Sequence, residues 1–107
     1  MSRVQVLTTN GWHDYCAVGI ATNIKDASGN VLHTGDVVEI VDMQYGADLA
    51  QAVGVAMVVC DQRGVFIGVD DFFVAGWFSR DWTDGSYVLR QVDYASLPSN
   101  AHHRLVD

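Results

Sequence analysis

The sequence predicts a small all-β domain, with one short helix at most, folded as an antiparallel β-barrel or sandwich. Three observations predict it. Valine occurs 17 times against 6 leucines, a bias toward side chains that suit a pleated, half-buried strand. Lysine and glutamate, both good surface helix formers, occur once each, as Lys25 and Glu39. Runs of β-branched and aromatic residues are separated by Gly, Asn and Asp at intervals of roughly eight to twelve residues, the rhythm of short strands joined by turns. With 107 residues, half of them apolar, the chain suits one domain with a real core. That domain is expected over residues 1–97, with a polar C-terminal tail over residues 98–107.

The elements follow in order. Arg3 to Thr9 alternates, with Val4 and Val6 on one face, and Asn10-Gly11 signals a turn. Tyr15 to Ile24 reads as one strand, because Cys16, Val18, Ile20 and Ile24 fall on one side at a period of two. Asp26 to Asn30 turns the chain into a short strand, Val31 to His33, and Thr34-Gly35-Asp36 turns it again into Val37 to Val41. Ala47 to Val53 is the one segment where apolar residues follow helical spacing, so the short helix is expected there. Val55 to Cys60 has no polar interruption and reads as a central strand buried on both faces. Val65 to Val69 and Phe72 to Phe78 are further strands around Asp70-Asp71. Asp84-Gly85 is a two-residue hairpin signal, since both central positions of the favoured turn need positive φ. Ser86 to Tyr94 is the last strand. After Leu97-Pro98 the chain is polar apart from Leu105 and Val106, and it orders only if those two residues dock.

Residues 26–42 carry the pattern D-x-x-G-N-x-L-x-x-G-D-x-V. This stretch resembles part of the SH3-like barrels found in the C-terminal region of PhnA-type proteins and, more loosely, in the YopX family. The resemblance covers 17 of the 107 residues and implies an SH3-like or related antiparallel β-barrel, with the motif as a hairpin feeding a barrel strand. The zinc ribbon that precedes the barrel in PhnA-type proteins has no counterpart, so the resemblance implies no metal and no activity.

Charge excludes some functions. Thirteen acids against five arginines and one lysine leave a formal charge of −7, and no basic stripe is available to neutralise phosphates. Nucleic acid is not an expected partner. The longest apolar run, Ala52 to Cys60, has nine residues, roughly half of the ~20 a spanning helix needs, so no membrane association is expected. The N-terminal residues lack the hydrophobic region of a secretory signal. The expectation is therefore cytoplasmic residence, where Cys16 and Cys60 are buried reduced thiols rather than a disulfide.

The constellations that could carry chemistry are sparse. His13 and Cys16 have an H-x-x-C spacing that, with Cys60 and His102-His103, suggests zinc, but a tetrahedral site needs four convergent ligands and only one short-spaced pair exists. A turn histidine beside a buried cysteine explains the same residues. Neither Cys16 nor Cys60 carries the surroundings of a nucleophile with His13 or His33 as its base. Asp61, Asp70-Asp71, and Asp81 with Asp84 are carboxylates at turns, where Asp hydrogen-bonds the local backbone. Asp81 to Gly85 lacks the alternating oxygen ligands and downstream Glu of a calcium loop. No metal and no cofactor is predicted, and no residue is assigned a catalytic role.

The aromatic residues are more informative. Phe72, Phe73, Trp77, Phe78 and Trp82 fall within eleven residues, with Trp12 and Tyr45 beside turns elsewhere. Alternation sends Phe73 and Trp77 to one face and Phe72 and Phe78 to the other, so one core does not easily absorb them all. The sequence therefore predicts a binding surface made of Phe72, Phe73, Trp77, Phe78, Trp82, Trp12 and Tyr45. Its expected role is that of an acidic, non-enzymatic interaction module that self-associates as a homodimer or holds a protein or peptide segment. The alternative is a small-molecule binding protein or minor hydrolase, with a pocket inside the barrel gated by the loop around Tyr45 to Leu49 and room left by Gly19, Gly54, Gly68 and Gly76. A third reading makes the acidic surface itself the active feature, as in mimics of nucleic acid.

Overall fold

The computed structural model describes residues 2–60, 67–70, 77–78 and 86–107. Among these residues there are ten strands and no α-helix. They are β1 (Arg3–Thr8), β2 (Gly11–Ala17), β3 (Ala21–Lys25), β4 (Val31–His33), β5 (Val37–Asp42), β6 (Gln51–Cys60), β7 (Ile67–Asp70), β8 (Trp77–Phe78), β9 (Tyr87–Val92) and β10 (His103–Val106). The protein is all-β, and every strand pairing among the described residues is antiparallel. The strands form a three-stranded sheet β10-β1-β2, a two-stranded sheet β3-β4 and a five-stranded sheet β8-β7-β6-β5-β9. No helix among the described residues is long and apolar enough to cross a membrane.

Period-two alternation explains where the core sits. On β6, Ala56 and Val58 join Val38, Ile40 and Leu89 of the neighbouring strands on one face, and Ile24 and Leu32 of β3-β4 cover them. Met57 and Val59 point to the other face with Val37, where Val4, Tyr15, Cys16 and Leu105 of β10-β1-β2 close over them. The centre of the five-stranded sheet is thus buried on both faces, which is what the uninterrupted run Val55 to Cys60 requires. Met57 and Val58 are fully buried, and each contributes about 2 kcal/mol through removal of its side chain from water.

The turn at Thr34-Gly35-Asp36 ties these layers together. Thr34 Oγ1 donates to the Ala17 carbonyl at 2.6 Å and accepts from the Ile20 amide at 2.9 Å. Gly35 N–H donates to the Val58 carbonyl and Val58 N–H donates to the Asp36 carbonyl, so the turn extends the β6 ladder beyond β5. Gly35 has φ +93°, and a Cβ there would meet Val18 Cγ1 at 3.1 Å and Leu105 Cδ2 at 3.4 Å. Both the positive φ and the close approach call for glycine. Asp36 Oδ2 accepts from the His33 amide, and Asp26 Oδ1 accepts from the Ser28 and Asn30 amides. The Asn30 amide comes first among the groups that hold the Asp26 carboxyl below its usual range. The Gly-Asp motif is accordingly a structural rivet.

Three sequence expectations are corrected. The strand expected from Tyr15 to Ile24 is two strands, because Gly19 turns the chain at φ +90° and leaves Val18 and Ile20 partly exposed. The helix expected within Ala47 to Val53 is a single 3-10 turn, Ala47–Leu49, with β6 beginning at Gln51. Residues 98–107, expected as a polar tail, contain β10, which pairs with β1 from Arg3↔Val106 to Val6↔His103. Leu105 docks on the second core face, and that burial is what orders the segment.

Candidate binding cleft

The outer face of β10-β1-β2 is built from residues that alternate with the core positions. β1 places Val4 inward and Arg3 and Gln5 outward, and Gln5 stands opposite both Asp14 on β2 and Arg104 on β10. A chain of polar contacts crosses all three strands. Arg3 Nε donates to Asp14 Oδ1 at 2.7 Å, and Gln5 Nε2 donates to the same oxygen at 3.0 Å. Gln5 Oε1 accepts from Arg104 Nε at 3.1 Å and Nη2 at 3.0 Å. Gln5 and then Arg3 hold the Asp14 carboxyl below its usual range.

Arg104 also lies over the Trp12 ring, with its guanidinium carbon 4.3 Å from the ring centroid, a cation–π arrangement. The guanidinium is therefore fixed at its edge by Gln5 and on its face by an indole. Trp12 and Arg104 form one wall of a cleft of about 450 Å³. The segment that follows β9, including Tyr94, Leu97 and Pro98, also lines it, with Ala101 and His103. Tyr94 is held there because its hydroxyl accepts from the Leu105 amide at 3.2 Å, which also occupies a backbone donor of β10.

His103 is 2% exposed and meets the Tyr15 ring with centroids 5.2 Å apart at a tilt of 52°. Tyr15 can reach it because the register shifts between Val4↔Cys16 and Gln5↔Asp14. The extra residue of that bulge turns Tyr15 and Cys16 both toward the core. Burial, and after it the neighbouring His102, push the His103 imidazole down to about 4, so it lines the cleft as a neutral ring at pH 7.

Of the seven aromatic residues predicted as a binding surface, the structure places Trp12 in the cleft wall. Tyr45 lies apart from it, 76% exposed near the tip of the β5–β6 hairpin. Trp77 and Phe78 form β8, the outermost strand of its sheet among the described residues, opposite Val69 and Gly68, and Phe72, Phe73 and Trp82 lie outside the described residues. Among the residues described, no three His, Cys, Asp or Glu side chains converge as metal ligands. His13 is exposed on β2 and Cys16 half-buried. Both cysteines are free thiols. Burial raises the Cys16 thiol above its usual range, only partly offset by the Cys60 backbone amide, and a thiol so shifted is a poor nucleophile at neutral pH.

The sequence offers His103 only as a possible zinc ligand, and it does not single out Arg104, Gln5 or Tyr94; the structure sets His103 in the cleft lining against Tyr15 instead. The alternation of Arg3 and Gln5 with Val4 and Val6 was a usable signal for the outer face of β1. The position of Arg104 depends on pairing across 99 residues. No family model, curated protein or solved structure matches this chain.

Proposed function

We propose that this domain is a non-enzymatic interaction module that holds a protein or peptide segment through an aromatic surface, with the Trp12–Tyr94 cleft as its described part. The observation that carries this reading is an indole whose ring is oriented by Arg104 in the wall of a cleft of about 450 Å³, a size within the ordinary range of ligand sites. Trp and Tyr are the side chains that anchor such contacts, having an apolar body and a polar tip. Phe72, Phe73, Trp77, Phe78 and Trp82 belong to the proposed surface on sequence grounds. The resemblance of residues 26–42 supports an SH3-like or related barrel as the architecture, and fold alone assigns no ligand.

Panning a displayed random-peptide library against the whole chain tests the reading. Selected peptides should bind, and Trp12→Ala should remove their binding while the amide spectrum stays folded. Peptides retained equally by the variant, or no selectable peptide, would overturn it. Self-association is a second reading with its own observation: Tyr45, Leu49 and Val53 are exposed together on the β5–β6 hairpin, at 76%, 68% and 38%. Sedimentation should then show a dimer at micromolar concentration that Tyr45→Ser with Leu49→Ser converts to monomer, and a monomeric parent chain rejects it.

A further inference from the structure

Resting on the binding-module reading, we infer that the Trp12 cleft selects a ligand carrying a carboxylate beside an apolar group, with Arg104 as the residue that holds the carboxylate. The argument starts from charge. Arg3 is paired with Asp14, and Arg90 with Glu39. Arg104 has no carboxylate partner among the described residues, although the chain has 13 acids.

Its polar partner is instead a neutral amide. Gln5 takes the Nε and Nη2 hydrogens on its oxygen and turns its own N–H toward Asp14. The amide thus stands between the two charges and keeps Asp14 from neutralising the guanidinium. The Nη1 edge of Arg104 has no partner among the described residues. Its face is covered by Trp12, so the side chain is half-buried and already oriented. A guanidinium held in this way presents a planar pair of donors at little further entropic cost, the geometry that carboxylates accept.

The rest of the cleft narrows the ligand class. Leu97, Pro98, Ala101 and the Tyr94 ring offer apolar surface to the group next to the carboxylate. A phosphate dianion fits less well, because one arginine leaves half of its charge uncompensated on a chain of net charge −7 that repels anions at long range. A monoanion on an apolar carrier suits both features. Two sources present that chemistry: the C-terminus of a peptide ending in an apolar residue, and a small apolar acid.

The experiment uses the whole chain and four probes. These are acetyl-Ala-Leu with a free C-terminus, the same peptide as its C-terminal amide, phenylacetate, and phenylacetamide. Titrations follow the Trp12 indole N–H and Arg104 Nε–H signals by NMR. Both signals should shift with the acids, and the amides should bind about tenfold or more weakly, as expected for loss of a charge-assisted pair. The tighter of the two acids identifies the source. Arg104→Gln should abolish the preference for acid, and Arg104→Lys should restore part of it. Equal binding of acids and amides would overturn the carboxylate assignment and leave the binding module standing. If no probe moves Trp12 while library peptides bind through it, the assignment fails alone; if the library also yields nothing, both fail.

Discussion

Protonation of His103 should loosen the junction between β10 and the core, and its size can be worked out from the burial of that one ring. His103 lies in β10 opposite Val6, with 2% of its surface exposed. Burial, followed by the charge of His102, lowers its pKa from 6.5 to about 4. The folded protein therefore binds this proton less readily than the unfolded chain does. Between those two values the unfolded chain holds more protons. The stabilising contribution is fully present above pH 6.5 and is lost as pH falls toward 4. At about 1.4 kcal/mol per pH unit, the gap amounts to about 3 kcal/mol, a large part of the margin of a small domain. Urea unfolding followed from neutral pH down to about 4, on the parent chain and on His103→Leu, measures it. Carboxylates such as Asp14 and Asp26 titrate in both proteins and cancel in the comparison. The parent chain should lose about 3 kcal/mol more than the variant across that window. Parallel stability curves for the two proteins would refute the argument, since the leucine variant has no proton to gain.

Two further perturbations probe the rivet between the layers. Gly35→Ala places a Cβ 3.1 Å from Val18 Cγ1 at φ +93°, and should destabilise by about 1–3 kcal/mol in urea unfolding. A neutral effect would mean that the turn relaxes freely. Thr34→Val keeps the shape of a side chain that is 1% exposed but removes its bonds to the Ala17 carbonyl and the Ile20 amide. It should cost about 2 kcal/mol and speed hydrogen exchange at Ile20, whereas unchanged exchange there would show that the hydroxyl is not what anchors the β2–β3 connection.

The fold was legible wherever its cause was local. β1, β4, β5 and β6 follow from alternation or from an uninterrupted apolar run, and the turns at Asp26 and Gly35 follow from residues whose backbone needs are met within a few positions. The errors have longer-range causes. Ala47 to Val53 has helical spacing, but β5 offers a ladder from Asp42↔Gln51 onward, and tertiary pairing overrides a weak local preference. Gly19 is a local exception: the period of two continues on either side of it in sequence, and only its φ of +90° marks the turn. The candidate site was legible only at Trp12. Arg104 sits in a stretch whose composition is that of a solvated end, and nothing near it in sequence reveals an amide on β1 and an indole on β2 waiting to receive it.

The pairing of β1 with β10 also sets a schedule for folding. The β1–β2 hairpin can close through its two-residue turn as soon as both strands exist, but Val4 cannot be fully covered until Leu105 arrives. Contacts between positions this far apart form late and slowly. Until they form, Met57 and Val59 present one face of the central strand without its final cover, an aggregation hazard during synthesis and refolding. The acidic surface then acquires a role unrelated to any ligand. Mutual repulsion between chains of like charge would hold incompletely folded molecules apart during the interval in which β10 has not yet paired with β1.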